Sequence, residues 1–148
     1  MKAIEIAILG STGSIGNTTL EVIKKTKKFR VILLYANSNY KKILHQIKIF
    51  KPRVVVVNNY QIFLNIKKKI KSKKIIILNN INNIEKYIKK VDVSVSAIPG
   101  IAGLEPTLKF VKLSKKILLA NKESIICGWN LIKKMSIKYN TKLIPIDS

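Results

Sequence analysis

The chain has 148 residues, 47% hydrophobic and 24% charged, which predicts one globular domain and excludes a disordered chain. No hydrophobic run reaches the roughly 18 residues of a membrane span, and the single cysteine, Cys127, excludes an intrachain disulfide and a cysteine-rich zinc site. The net charge of +22 comes from scattered lysines with only two arginines and no interleaved aromatic residues, so we expect neither a nucleic-acid nor a membrane partner.

Strand-like and helix-like segments alternate along the chain. The first predicted strand, Ala3–Leu9, leads through a glycine-rich turn into a helix that ends near Lys25. Four consecutive valines in the predicted strand Arg53–Val57 are typical of a strand that is covered on both faces. The other predicted strands are Arg30–Tyr35, Ile75–Leu78, Val91–Ser96, Ile117–Leu119 and Lys142–Ile146. The other predicted helices are Tyr40–Phe50, Gln61–Lys71, Ile81–Lys89, Pro106–Phe110 and Ser124–Tyr139.

Repeated βα units of this length predict an α/β fold, a doubly wound parallel sheet with helices on both faces, as in Rossmann-type domains. We expect residues 1–148 to form this one domain, with Cys127 and Trp129 as packing residues of the last helix. Ligands of such sheets bind at the carboxyl ends of the strands. Functional residues are therefore expected in the loops that follow the strands.

Three glycines, Gly10, Gly13 and Gly16, lie between the first predicted strand and the first helix. The unpaired N–H groups and the positive dipole end of a helix start suit a pyrophosphate. Gly10 would allow the tight turn, Gly13 the approach of the phosphates, and Gly16 close packing of the helix. Thr12 and Ser14 add hydroxyl donors. The spacing is a variant of the G-x-G-x-x-G fingerprint, so the turn predicts a dinucleotide site.

The end of the second predicted strand favours NADP(H) over NAD(H). An NAD site usually has an acidic residue there, which accepts hydrogen bonds from the ribose 2′-hydroxyl. Here no acidic residue occurs between Glu21 and Glu85. The segment Asn37–Lys42 instead offers neutral donors and lysines, which would accommodate a 2′-phosphate.

Three segments together carry a family resemblance. Gly10–Gly16, the run Leu-Ala-Asn-Lys-Glu-Ser at Leu119–Ser124 and the run Pro-Ile-Asp-Ser at Pro145–Ser148 occur in this order and at these separations. Together they are similar to 1-deoxy-D-xylulose 5-phosphate reductoisomerase, an enzyme of non-mevalonate isoprenoid biosynthesis. Gly100–Leu104, followed by Pro106–Leu108, resembles the turn and helix near the nicotinamide in this family. The resemblance spans essentially the whole chain.

The resemblance implies an oxidoreductase that uses NADPH and Mg²⁺ or Mn²⁺, acts on a small sugar phosphate and forms a homodimer at full length. Lys122 and Ser148 would bind the substrate, and Asp147 would ligate the metal ion, for which a carboxylate is a suitable hard-oxygen ligand. Asn37 and Ser38 stand where the family often has Gly and Lys. The cofactor-binding residues that the resemblance implies are Thr12, Gly13, Ser14, Ile15, Asn39, Asn121 and Glu123.

The resemblance also predicts that the chain is only the NADPH-binding part of the enzyme. In the family the Asp-Ser pair is followed by a glutamate that also binds the metal, and this sequence ends at Ser148. A divalent ion needs several oxygen ligands, more than Asp147 alone provides. We therefore expect the catalytic and carboxyl-terminal domains to be absent and the chain alone to be inactive.

Two other hypotheses stay open. A different NADP-dependent Rossmann reductase would need a catalytic Tyr-x-x-x-Lys pair, and no tyrosine of this chain has a lysine four positions later. A lysine-rich module that binds RNA or membranes would show affinity that falls steeply with salt and ignores nucleotide identity. The first predicted strand already begins at Ala3 and leaves no room for a targeting peptide, so a cytoplasmic location is expected.

Overall fold

The computed structural model describes residues 2–146, so the predicted site residues Asp147 and Ser148 lie outside the described part. Within it, no helix is long and apolar enough to cross a membrane. The strands are β1 (Ile4–Leu9), β2 (Phe29–Ala36), β3 (Val54–Val57), β4 (Ile76–Leu78), β5 (Val91–Ser96), β6 (Ser114–Leu119) and β7 (Lys142–Pro145). The α-helices are α1 (Ser14–Thr26), α2 (Tyr40–Phe50), α3 (Tyr60–Lys69), α4 (Leu104–Lys112) and α5 (Lys122–Lys138).

The seven strands form one sheet in the order β4-β3-β2-β1-β5-β6-β7, and every neighbouring pair is parallel. The chain moves from β1 outward to β4, returns to the other side of β1 with β5, and then moves outward again to β7. The strand order therefore reverses at β1 and β5, and the crevice at their carboxyl ends is the usual ligand position of such a sheet. The prediction of a doubly wound parallel sheet is confirmed.

Helices cover both faces of the sheet, and β1 shows why. Ile6 and Ile8 belong to a buried cluster with Leu20 and Ile23 of α1. The alternate residues Ala7 and Leu9 belong to a second cluster that includes residues of α4 and α5. Successive side chains of a strand point to opposite faces, so a strand that is buried on both faces is apolar without alternation. The four valines of β3 are all fully buried for the same reason.

Two elements differ from the sequence-based expectation. The predicted helix at Ile81–Lys89 is only a 3₁₀ turn over Ile84–Lys86, preceded by Asn83 at a left-handed φ of 61°. Its isoleucines at helical spacing are buried but belong to an irregular connection. The sixth strand begins at Ser114, three residues before the predicted start. The prediction missed these residues because the segment Ser-Lys-Lys that opens the strand is polar.

Cys127 and Trp129 do not pack in the interior, so that prediction was wrong. Cys127 is exposed, and Trp129 keeps 37% of its surface accessible. Helix α5 packs inward through Gly128 and Ile132, which are buried. A Cβ at Gly128 would meet the side chain of Leu104, so the two helices α4 and α5 approach closely at this point.

Asp92, the second residue of β5, ties three neighbouring strands together. Its Oδ2 accepts a hydrogen bond from the backbone N–H of Glu5 in β1 at 2.9 Å, and its Oδ1 accepts one from Nζ of Lys115 in β6 at 2.9 Å. The Glu5 N–H, followed by the Lys115 ammonium, lowers the pKa of the Asp92 carboxyl below its ordinary value.

We predict that Asp92→Asn removes an acid-sensitive part of the stability. Because the folded-state pKa is lowered, the stabilisation is present above the unfolded pKa of about 3.9 and is lost as the pH falls through the folded value. Urea unfolding at pH 7 and pH 3 measures the effect. The variant should be less stable than the original protein at pH 7, and this difference should shrink at pH 3. An equal difference at both pH values would contradict the assignment.

Candidate cofactor site

The turn between β1 and α1 is fixed by contacts with both neighbouring strands. The backbone N–H groups of Gly10 and Ser11 both donate to the carbonyl oxygen of Tyr35 in β2, at 2.8 and 2.9 Å. Gly10 has a φ of +91°, and a Cβ there would lie 2.6 Å from the carbonyl oxygen of Ala97, directly after β5. A residue with a side chain would therefore be strained and would also clash. The turn sits at the point where the strand order reverses.

Helix α1 begins in direct contact with this turn. A Cβ at Gly16 would overlap the carbonyl oxygen of Gly10 and would lie 2.7 Å from the Cα of Ser11. These neighbours are backbone atoms and cannot rotate away. Gly16 thus allows the close approach of helix and strand that its position predicts.

Gly13 differs from the other two glycines. It has a φ of −79° and a ψ of 177°, an extended conformation that any residue adopts. A Cβ there would meet nothing closer than the Gly10 carbonyl oxygen at 3.6 Å. Neither the backbone nor the packing of the protein requires glycine, so what Gly13 provides is free space on the outer side of the turn.

The amino-terminal end of α1 is open to an anion. Gly13 is the residue before the helix, no side chain caps the first N–H groups, and the first turn contains no acidic residue. The structure brings Thr12, Gly13, Ser14 and Ile15 together here, with Gly13 and Ser14 exposed. Uncapped N–H groups and the helix dipole together favour a bound phosphate. A diphosphate fits this end of the helix.

A buried glutamine braces the turn from α2, which sequence reasoning missed. Gln46 is 4% exposed, and its Nε2 donates to the carbonyl oxygen of Ser11 at 2.9 Å and to Oδ1 of Asn17 at 3.1 Å. Asn17 in turn donates through Nδ2 to the carbonyl oxygen of Thr12 at 3.1 Å. The available signal was a polar residue beside Ile43 and Ile47 on the buried face of α2.

The residues after β2 form a second, basic helix start. Asn37, Ser38 and Asn39 are exposed, and Oδ1 of Asn39 caps α2 by accepting a hydrogen bond from the backbone N–H of Lys42 at 3.2 Å. The first turn of α2 has no acidic residue and includes Lys41 and Lys42. This end of the helix suits a phosphate monoester rather than a pair of ribose hydroxyls.

Asn121 holds the loop after β5 against the start of α5. Its Nδ2 donates to the carbonyl oxygens of Ile98 and Gly100, the latter at 2.8 Å, and its Oδ1 accepts from the N–H of Ser124 at 3.1 Å. Asn121 is 5% exposed. A Cβ at Gly103 would overlap the Asn121 amide and lie 2.5 Å from the Ile98 carbonyl oxygen, so the glycine makes room for this contact.

Lys122 and Glu123 form the first turn of α5, and both are exposed. They follow the carboxyl end of β6, so they lie at the same sheet edge as the glycine-rich turn and Asn39. Glu123 suits the positive end of the helix dipole, whereas Lys122 opposes it. Helix stability therefore does not explain the lysine at this position.

The described residues contain no complete metal centre. Over residues 2–146, no group of three or more His, Cys, Asp or Glu side chains could hold a metal ion. Asp147, the predicted metal ligand, and Ser148, the predicted substrate-binding residue, lie outside this range.

The fold and the glycine-rich turn at its switch point define a Rossmann-type domain. A family model for 1-deoxy-D-xylulose 5-phosphate reductoisomerase matches residues 6–128, and the chain belongs to this family. It is 48% identical to the reductoisomerase of Pelagibacter ubique, covering 97% of this chain and 38% of that protein. It is 43% identical to the reductoisomerase of Francisella tularensis subsp. novicida, covering 99% of this chain and again 38% of that protein. The chain thus spans about two fifths of the length of these relatives.

Solved structures agree with this assignment. The reductoisomerase of Zymomonas mobilis in complex with NADPH superposes with a TM-score of 0.88 at 27% identity, covering 98% of this chain and 39% of that one. A reductoisomerase in complex with NADPH, fosmidomycin and magnesium gives a TM-score of 0.87 at 32% identity, covering 96% and 36%. Homoserine dehydrogenase of S. aureus, at a TM-score of 0.57 and 18% identity, shares the fold alone.

We predict that Gly16→Ala destabilises the protein by about 2 kcal/mol or more, because the added methyl group overlaps fixed backbone atoms. Gly13→Ala is the matched control and should change stability by less than about 0.5 kcal/mol, because that methyl group enters open space. Urea unfolding of both variants measures the difference. Equal stabilities would show that α1 does not pack against the turn as described.

Proposed function

We propose that the chain is the NADPH-binding domain of a 1-deoxy-D-xylulose 5-phosphate reductoisomerase. This enzyme rearranges 1-deoxy-D-xylulose 5-phosphate and reduces the product to 2-C-methyl-D-erythritol 4-phosphate with NADPH and a divalent metal ion. The observation that carries the proposal is the uncapped, acid-free start of α1 behind a glycine with free space on its outer side. The family membership and the likeness to an NADPH complex support it.

Two helix starts would divide the recognition of the cofactor. The backbone N–H groups of Ser14 and Ile15 would bind the pyrophosphate, which would occupy the open space at Gly13 with the Thr12 hydroxyl beside it. The start of α2, with Asn39 and its following lysines, would bind the 2′-phosphate. A charge-assisted phosphate contact at such a site is stronger than a neutral hydrogen bond. The absence of an acidic residue at the end of β2 removes the repulsion that a 2′-phosphate would meet in an NAD site.

The nicotinamide end would lie toward the loop after β5 and the start of α5. The cofactor supplies a hydride there when it is bound. Asn121 would hold the loop at Ile98–Gly100 in place, and Glu123 would border the cofactor. The exposed ammonium group of Lys122 would orient the sugar-phosphate substrate through hydrogen bonds.

Asp147 would contribute a carboxylate to the Mg²⁺ or Mn²⁺ site, and Ser148 would contact the substrate. The metal would hold substrate oxygens and polarise a carbonyl group. The other ligands would come from parts of the relatives' length that this chain does not cover. The homodimer and the cytoplasmic location remain predictions for the full-length enzyme.

We predict that the chain binds NADPH at least about tenfold more tightly than NADH, because only NADPH offers the 2′-phosphate to the start of α2. Isothermal titration calorimetry with both cofactors measures the ratio. Equal affinities would contradict the assignment of the cofactor.

Gly13→Val should abolish NADPH binding without unfolding the protein, because the side chain fills the space that the phosphates need. Thr18→Val is the matched control, since it places the same side chain at an exposed position of α1 beyond its first turn. It should leave the affinity unchanged. A Gly13→Val protein that binds NADPH normally would place the pyrophosphate elsewhere.

We further predict that the 148-residue chain does not consume NADPH when 1-deoxy-D-xylulose 5-phosphate and Mg²⁺ or Mn²⁺ are present. A catalytic divalent ion needs several oxygen ligands in fixed geometry, and residues 2–146 do not provide such a group. Absorbance at the NADPH band follows the reaction. Sustained turnover by this chain would contradict the prediction that its metal site is incomplete.

A further inference from the structure

A basic cavity of about 840 Å³ lies at the edge of the sheet opposite to the cofactor site. It is formed where β2 and β3 begin and where α2 and α3 end. Arg30 and Arg53 contribute from the strand side. The lysines that line the cavity are Lys48, Lys51, Lys69, Lys71 and Lys74.

The stability of the helix ends explains the positions of only some of the basic residues that line the cavity. Lys48 and Lys69 lie in the last turns of α2 and α3, where cations interact favourably with the helix dipole. Arg30 lies within β2, and Arg53 directly precedes β3, so no helix end accounts for either. They are the only arginines among 29 basic residues. If the basic residues served only to keep the protein soluble, there would be no reason for both arginines to line the same cavity.

The charge of the cavity is not compensated within the described structure. No acidic residue lines the cavity, and the salt bridges of residues 2–146, Lys109–Glu85 and Lys115–Asp92, involve none of its cations. Seven like charges around one concave space repel each other, and a multivalent anion bound between them relieves this repulsion.

The floor of the cavity is apolar. Pro52 is buried, Ile47 is 1% exposed, and Ile70 and Ile75 are half-buried around the same space. The volume lies within the range of roughly 300–1,000 Å³ that is usual for small-molecule pockets. The combination suits a compact ligand that carries several phosphates and a flat or apolar body.

We propose that this cavity is a second ligand site, separate from the cofactor site, for a small polyphosphorylated molecule of the nucleoside triphosphate class. The guanidinium groups of Arg30 and Arg53 bind phosphate oxygens in bidentate geometry, and the surrounding lysines add charge. The apolar floor contacts the base. The proposal does not depend on the reductoisomerase activity.

The test is calorimetric titration of CTP into the protein at physiological salt with saturating NADPH, which keeps the cofactor site filled. CTP should bind with a stoichiometry of one, inorganic tripolyphosphate more weakly, and cytidine not at all. Arg30→Gln/Arg53→Gln should weaken CTP binding about tenfold or more, because two charge-assisted contacts are lost. Lys133→Gln/Lys134→Gln removes the same charge from the exposed side of α5 and should change the affinity less than about twofold.

Equal weakening by the two double variants would overturn the proposal, since binding would then follow net charge alone. CTP binding that occurs without NADPH but is lost at saturating NADPH would overturn it as well, because the ligand would then occupy the cofactor site. Tighter, arginine-dependent binding of single-stranded DNA would identify a nucleic-acid surface instead. Where the arginine variant fails to fold, Lys71→Gln/Lys74→Gln, on the exposed loop of the cavity, replaces it; its loss should be smaller than that of the arginine variant but larger than that of Lys133→Gln/Lys134→Gln.

Discussion

The structure depends on the backbone contacts that hold the turn between β1 and α1. Two N–H groups of the turn share the carbonyl oxygen of Tyr35, Gly10 fits against the carbonyl group of Ala97, and Gly16 fits against Gly10 itself. Every one of these contacts is made by main-chain atoms of β2, of the residue that follows β5, or of the turn itself. The direction in which α1 starts is therefore fixed by contacts within the protein, and no ligand is needed to set it. A site that is already ordered loses less conformational freedom when it binds its ligand.

The sequence was sufficient for the sheet and for the tight glycine-rich turn, because both follow from local patterns. Apolar strands at regular spacing predict a parallel sheet, and Gly10 and Gly16 have the roles that their positions suggest. The bracing by Gln46 was not predictable in the same way, because its partner Ser11 is 35 residues away. Local patterns also failed at Ile81–Lys89, where buried isoleucines at helical spacing belong to an irregular segment with a left-handed asparagine. There, contact with the core determined the conformation.

The net charge has a different meaning at the two edges of the sheet. At the carboxyl edge, acid-free helix starts and the lysines at the beginning of α2 form a field that favours phosphates. At the amino edge, the helices end, and their dipoles attract lysines without any ligand. The net charge of +22 sums the residues of both edges and therefore does not show this difference. The lysines at the helix ends of this edge are explained by the helix dipoles, whereas Arg30 and Arg53 are not. The two arginines are therefore the reason to regard the cavity as a candidate site.

In the Asn-Lys-Glu-Ser segment, Asn121 has a structural role, whereas Lys122 and Glu123 are exposed. Both Nδ2 hydrogens of Asn121 are used by the carbonyl groups of Ile98 and Gly100, and its Oδ1 caps α5. Its side chain has no donor left for a cofactor, so a contact with the nicotinamide would have to come from its backbone or from the remaining lone pair of Oδ1. By joining the loop after β5 to the start of α5, Asn121 fixes where Lys122 and Glu123 project. Gly103 is part of the same arrangement, because any side chain there would displace the amide. The positions of the exposed Lys122 and Glu123, and with them the ligand contacts proposed for both, therefore depend on this buried asparagine.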